Sequence, residues 1–240
     1  MVVFAQDNKF SFVVFGDSHG NNEIFGPLLD KVNLESDLAF VVSTGDFVSY
    51  GKATQKKQYE DYLKTIKKLK VPFHQVMGNH DGVKDGYKYF SQYFGPGYYS
   101  FDHENAHFIV LNNAFRVSFD KEQKAWLKVD LAKNVNKPVF VFMHKPALDP
   151  TDSVFEKYIM PGRQETKELL ELFSRYKVDY VIAGHVHGYA RTKRDGVVYL
   201  LVGGAGGPLH LPRELGGFFH YVKITVAGDK INDEVKMIYE

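Results

Sequence analysis

An α/β fold is predicted for this chain, on three observations. Short apolar runs of strand type alternate with segments of helical period as far as Ala183, the signature of βαβ units. From Tyr189 onward the pattern changes to alternating runs around two glycine-containing turns, which indicates antiparallel strands. No Pro/Ser-rich linker, low-complexity tract or internal repeat interrupts the 240 residues, so a single domain over 1–240 is expected.

The elements follow in order. Phe10 to Phe15 reads as a first buried strand, Ile24 to Val32 as a helix and Leu38 to Val42 as a second strand. Thr54 to Leu69 places Tyr59, Tyr62, Leu63, Ile66 and Leu69 on one helical face, and Val71 to Val76 is the strand that follows. The aromatic stretch Tyr87 to Phe101 reads as core. Asp120 with Gln123 three residues on is a capping-box signal for a helix to about Lys133, before a strand over Pro138 to Met143. Leu169, Leu172, Phe173 and Tyr176 mark another helix, and Tyr180 to Ala183 another strand. Asp195-Gly196 then divides one hairpin, and Gly228-Asp229 divides a second between Phe218 to Val226 and Ile231 to Tyr239. Two long loops, Lys145 to Arg163 and the glycine-rich Gly203 to Gly217, are expected to form walls of a site.

Composition narrows the function. An apolar fraction of 44% and a charged fraction of 25% exclude collagen-like, disordered and multi-span membrane classes. A net charge of +1 leaves no electrostatic footprint for dedicated nucleic-acid binding. With no cysteine there is no disulfide, thiolate nucleophile or thiolate-held metal, so a metal here would rest on oxygen and on the ten histidines.

Those ligand types recur at one place in the pattern. Buried strands end in Gly16-Asp17-Ser18-His19-Gly20, Gly45-Asp46, Gly78-Asn79-His80-Asp81-Gly82 and Gly184-His185-Val186-His187-Gly188, and His144 follows the Pro138 strand directly. In an α/β sheet the carboxyl ends of strands line the binding crevice, so five strand ends would aim ligands at one point. Residues i and i+2 of an extended segment face the same side, which lets Asp17 with His19, and His185 with His187, grip one cluster. Asp17, His19, Asp46, Asn79, His144, His185 and His187 are too many for one zinc but suit two ions sharing a carboxylate. Oxygen mixed with imidazole favours manganese, iron or zinc over magnesium or calcium.

In this order the motifs Gly-Asp-x-His, Gly-Asp, Gly-Asn-His-Asp, a lone His and Gly-His-x-His resemble those of the calcineurin-like metallophosphoesterases, over nearly the whole chain. The resemblance implies a four-layer α/β/β/α sandwich, two mixed sheets flanked by helices. It implies two divalent or mixed-valence ions, with Asp17, His19 and His187 on one, Asn79, His144 and His185 on the other, and Asp46 bridging. A hydroxide between the ions would attack phosphorus in line, while His80 contacts or protonates the leaving oxygen and Asp81 orients it.

The expected function is hydrolysis of phosphate monoesters on a small phosphorylated substrate. A phosphodiesterase, cyclic nucleotides included, is the alternative, and a non-catalytic protein-binding scaffold is the reading of another class. Purple acid phosphatases in this superfamily carry a tyrosine three residues after the bridging aspartate; here Ser49 stands there and Tyr50 comes next, a departure from the purple subtype. Asn112-Asn113 stands where many members carry aspartate. His210 is a candidate substrate contact, and Arg116, Arg163 and Arg191 are candidates to hold a distal anion. Val3-Phe4-Ala5 before Gln6 reads as the end of a trimmed signal peptide, hence an exported protein, with an ordinary strand-leading stretch in a cytoplasmic one as the alternative.

Overall fold

The computed structural model describes residues 9–49, 54–115, 119–149 and 163–239. In β1 (Lys9–Phe15), Phe12 and Val14 alternate with Val13 and Phe15, and all four are buried. A strand buried on both faces needs a layer on each side, and that requirement builds the molecule outward from its centre.

One sheet has the order β11-β10-β1-β2-β3, with β2 (Leu38–Ser43), β3 (Phe73–Gln75), β10 (His220–Ala227) and β11 (Lys230–Met237). The other has the order β4-β5-β6-β7-β9-β8, from β4 (Tyr99–His103), β5 (Ala106–Val110), β6 (Val139–Met143), β7 (Tyr180–Ala183), β8 (Tyr189–Arg194) and β9 (Val197–Val202). Both sheets are mixed, with parallel runs β1-β2-β3 and β5-β6-β7-β9. Their inner faces meet in an aromatic core, where Phe12 stands edge-on to Phe108 and Phe140 of the facing sheet, 5.4 and 5.1 Å between centroids. The outer face of the first sheet carries α1 (Asn22–Val32), α2 (Gln55–Ile66) and α3 (Gly86–Phe94), packed through Phe25, Tyr62 and Phe90. The outer face of the second carries α4 (Lys121–Lys133) and α5 (Arg163–Arg175), packed through Leu127, Leu131, Leu169 and Phe173. The expected four-layer α/β/β/α sandwich is therefore the observed one.

The hairpins form where the turn chemistry put them. Asp195 and Gly196 both have positive φ (52° and 87°), as a two-residue turn matched to strand twist requires. The stretch beginning at Tyr87 is core as expected, and it opens as helix α3, with Phe90 buried and Tyr89, Tyr93 and Phe94 packed partly against the same cluster. One expectation needs correction. The capping box is half made: Asp120 accepts from the Gln123 N–H at 2.8 Å, but the Gln123 amide braces the Asn112 backbone through both its atoms (2.8 and 3.0 Å).

Residues 1–8, Tyr50, Arg116 and most of the loop that begins at Lys145 lie outside the described residues, as does the Arg163 side chain. No described helix is long and apolar enough to cross a membrane.

Candidate metal centre

All the ligand-type residues follow the carboxyl ends of parallel strands, at one edge of the sandwich where the two sheets meet. Asp17 and His19 follow β1, Asp46 follows β2, Asn79 and His80 follow the short β3, His144 follows β6, and His185 and His187 follow β7. Four of them, Asp17, His19, Asp46 and His185, sit in the left-handed region, with φ of 62°, 48°, 52° and 70°. Such backbone is costly for residues bearing a Cβ and persists where its surroundings fix it, commonly at functional sites.

The surroundings here are specific. The His185 N–H donates to both carboxylate oxygens of Asp17 (3.1 and 3.0 Å), and the His80 N–H donates to Asp46 Oδ1 (2.8 Å). Asp17 N–H donates to Gly45 C=O at 2.8 Å and His19 N–H to Asp46 C=O at 3.0 Å, so the loops after β1 and β2 hold one another. Gly78 and Gly184 must lack side chains, since a Cβ on either would collide with the Asp46 or the Asp17 carboxylate.

Asp81 does something other than orient His80 through its carboxylate. Its two oxygens accept from the backbone N–H groups of Gly78 (2.7 Å), Asp46 (2.9 Å), Phe47 (3.0 Å) and Val48 (3.1 Å). This clamp fixes the turn that presents Asp46, and it ties that turn to the loop carrying Asn79 and His80.

The donor atoms fall into overlapping sets. Asp17, His19 and His187 each offer one atom within 4.8 Å of the others, and so do Asp46, His144 and His185. Asn79 joins the second set, its Oδ1 lying 3.0 Å from His144 Nε2. His19, Asp46 and His80 form a third grouping between the two, with the His80 ring edge-on to His19 at 4.5 Å. Asp46 is thus common to both sides, 3.2 Å from His144 Nε2 and 3.8 Å from His19 Nε2.

Two observations test whether cations fit. His144 donates from Nδ1 to Thr44 C=O (2.9 Å), which turns Nε2 towards Asp46 Oδ2, Asn79 Oδ1 and His185 Nδ1 (3.1 Å), more lone pairs than one proton can serve. His19 Nε2 is buried with no hydrogen-bond partner. Imidazoles oriented through their other nitrogen, facing carboxylates, make a metal-ligating shell. His187 repeats the device, with Nδ1 on Pro208 C=O at 2.6 Å and Nε2 3.6 Å from Asp17. The residues fit two cations.

The protonation equilibria describe a centre short of positive charge. Burial, aided by the charge of Asp46, raises the Asp17 carboxyl well above its usual range. Burial would do the same to Asp46, but His144 and the imidazoles of His80 and His19 outweigh it and hold Asp46 low. Burial opposes a charge on His144, yet Asp46 beside it raises that imidazole to about 9. Burial pushes His185 down to about 2, His187 to about 3 and His19 to about 4, so these three imidazoles are neutral at pH 7; burial also lowers His80, with the charge of Asp46 pulling the other way.

Above the centre lies a cavity of about 910 Å³, lined by His19, His80, His185 and His187, the start of α1, Ser49 and the glycine-rich loop. That loop is a site wall, as its length and composition predict, and His210 within it stacks on His187 at 4.0 Å. Arg191 is not available to a distal anion: it binds both oxygens of Asp233. Sequence reasoning overlooked Thr44 and noted Asn113 only as part of a departure from the family pattern. Asn113 Oδ1 accepts from the N–H groups of His144 (2.9 Å) and Lys145 (3.1 Å), and its Nδ2 donates to Lys145 C=O (2.7 Å). The Asn112-Asn113 departure in the sequence was the only signal for this brace.

Overlapping carboxylate and imidazole sets at the strand ends of such a sandwich are the architecture of a dinuclear metallohydrolase. The chain belongs to the calcineurin-like phosphoesterases: the sequence pattern of that family matches residues 10–189. It is 32% identical over 179 residues to purple acid phosphatase 23 of Arabidopsis thaliana, which covers 67% of this chain but only 37% of that protein. It is 26% identical over 204 residues to a probable glycerophosphodiester phosphodiesterase of Arcobacter nitrofigilis, covering 78% of this chain and 69% of the relative. Among solved structures, a dimetal phosphatase from Danio rerio superposes with a TM-score of 0.77 at 14% identity, over 96% of this chain and 97% of the other.

Proposed function

We propose that this chain hydrolyses phosphate monoesters with two cations held by Asp17, His19 and His187 on one side and Asn79, His144 and His185 on the other, Asp46 being common to both. The observation that carries the reading is the position of Asp46, buried to 1% exposure and within reach of ligand atoms of both sets. Bound cations would supply positive charge to the phosphoryl oxygens and acidify water at neutral pH. Manganese, iron or zinc suits the mixed oxygen and imidazole donors. Ser49 lines the cavity three residues after Asp46, where purple acid phosphatases carry their tyrosine, so the loaded protein is expected to lack the purple colour.

The chain's own residues do the remaining work. His80 lines the cavity, its Nε2 3.9 Å from Asp46, and is placed to give a proton to the departing alkoxide. Asp81 keeps Asp46 and the His80 loop in register through four backbone amides. Thr44 and Pro208 fix the ring orientations of His144 and His187.

Similarity to a plant purple acid phosphatase supports the monoester reading. The similarity to a probable glycerophosphodiester phosphodiesterase keeps a diester reading beside it. The deciding experiment is the ratio of kcat/KM for a nitrophenyl phosphate monoester and the matching bis-ester on manganese-loaded protein, with Asp46→Asn as control. A ratio favouring the monoester is expected; one strongly favouring the bis-ester overturns the monoester assignment in favour of a diesterase. Turnover of neither above the control overturns the esterase reading itself.

A further inference from the structure

The loop that carries His80 is held from outside the ligand sets, by α2. At the start of that helix the Gln55 amide donates from Nε2 to the His80 carbonyl at 3.2 Å. One turn further on, the hydroxyl of the fully buried Tyr59 donates to the next carbonyl, that of Asp81, at 2.9 Å, with Gly86 C=O also within 3.1 Å. Residues four apart lie above one another on a helix, so one face of α2 runs beside two consecutive peptide groups of this loop. The same helix holds a second part of the cavity wall, since Gln58 Oε1 accepts from the Ser49 N–H at 2.8 Å. His80 is thereby gripped at both ends of its main chain, its N–H on Asp46 Oδ1 (2.8 Å) and its C=O on Gln55. Gln55 Oε1 is buried with no hydrogen-bond partner. The amide is placed for its donor, because turning it over would set oxygen against oxygen at the His80 carbonyl.

We propose that Gln55 is a positioning residue for His80, fixing its imidazole where it protonates the departing alkoxide. The inference rests on the esterase reading and deepens it. When the ester P–O bond breaks, the leaving oxygen keeps the bonding pair. An alkoxide needs the His80 proton to depart as an alcohol, whereas a nitrophenolate is stable enough to leave without one. Removing the Gln55 bond frees the carbonyl end of His80 alone, because Asp81 keeps its four amides and the Tyr59 hydroxyl. The metal ligands then stay in place while the proton donor loses its alignment. Misplacing a reacting group by about 1 Å costs on the order of 10²-fold, so releasing one anchor among several is expected to cost about tenfold.

The test uses the full chain loaded with manganese, comparing wild type with Gln55→Met, which keeps the length of the side chain and loses the donor, on ethyl phosphate and on nitrophenyl phosphate. Gln55→Met is expected to keep both ions by metal analysis, to hold KM within about twofold and to lower kcat for ethyl phosphate about tenfold more than for nitrophenyl phosphate. In a His80→Ala background the same change is expected to add nothing, since the two residues act as one unit. Histidine-ring NMR of the zinc-loaded protein reads the anchor apart from turnover. The His80 signals, identified by their absence from His80→Ala, are expected to shift or broaden in Gln55→Met while those of the ligand histidines hold. Gln55→Glu, whose carboxylate keeps the shape of the amide but cannot donate, is expected to repeat each result. Equal losses on both esters, loss of an ion, additive losses in the double variant or unmoved His80 signals would each overturn the assignment. A wild-type protein that holds two ions and cleaves neither ester would instead overturn the esterase reading, and the ring signals would still decide Gln55.

Discussion

His144 and His107 lie at opposite ends of two neighbouring parallel strands, β6 and β5, both buried (0% and 4% exposed) and both beside carboxylates. At His107 each ring nitrogen meets a carboxylate of its own, Asp102 at 2.7 Å and Asp130 at 2.8 Å, and Lys137 and Asn134 complete the cluster. At His144 one nitrogen is spent on Thr44 C=O, and the other faces a carboxylate, an amide oxygen and a second imidazole together. Burial and carboxylate neighbours are shared, so neither marks a functional histidine. What separates the two is how many lone-pair groups crowd a single ring nitrogen, one carboxylate at each His107 nitrogen and three groups at His144 Nε2.

The strongest way to break this comparison is at the shared carboxylate. Asp46→Asn is expected to drop bound metal below two ions per chain and turnover on the order of 10³-fold or more, by metal analysis and steady-state kinetics. Two ions retained by that variant would remove Asp46 from its bridging position. His80→Ala sharpens the boundary of the ligand set: both ions stay while turnover falls roughly 10²- to 10⁴-fold. Loss of an ion in that variant would make His80, which shares a grouping with His19 and Asp46, a ligand instead.

The other pole of the comparison predicts stability effects. His107→Leu leaves Asp102 and Asp130 facing one another and is expected to cost about 2 kcal/mol in urea unfolding, with metal content and turnover at wild-type levels. A change in metal content would erase the distinction between the two clusters. His220, at the start of β10, gives an effect that appears only as the pH is lowered. Burial lowers its pKa from 6.5 to about 4 and its Nδ1 donates to Phe218 C=O at 2.8 Å, so the unfolded chain takes up its proton first. As pH falls from 6.5 to about 4, this residue costs the metal-free protein about 1.4 kcal/mol of stability per pH unit, and below that window its contribution no longer changes. Comparing urea unfolding of wild type and His220→Asn in chelator over that range isolates the slope, and equal slopes in the two proteins would refute it.

The sequence made the ligand types and the α/β class legible for one physical reason, whereas the four-layer arrangement came with the family resemblance. Both depend on short-range pattern, namely apolar runs that must be strands, glycines that let the chain turn, and Asp, Asn or His immediately after them. The missing parts all depend on contacts between segments far apart in the chain. Asp81 looks like a partner of its neighbour His80, but four amides, three of them more than thirty residues away, claim its carboxylate. Gln123 looks like half of a capping box, but it is drawn inward to Asn112. Arg191 fails for the converse reason, since nothing local in the sequence foretells Asp233 on β11.

The two donor sets also have a mechanical side. In each, some ligands hang from the first sheet and others from the second: Asp17 and His19 face His187 in one, and Asp46 and Asn79 face His144 and His185 in the other. Lower in the sandwich the sheets meet through an apolar core rich in phenylalanine, whose contacts are individually weak. Coordination bonds are short and directional, so a cation in either set would act as a rivet through both sheets at their upper rim. Shear between the sheets, breathing of the strand ends and opening of the cavity would then be a single motion, and loading the centre would stiffen all three together.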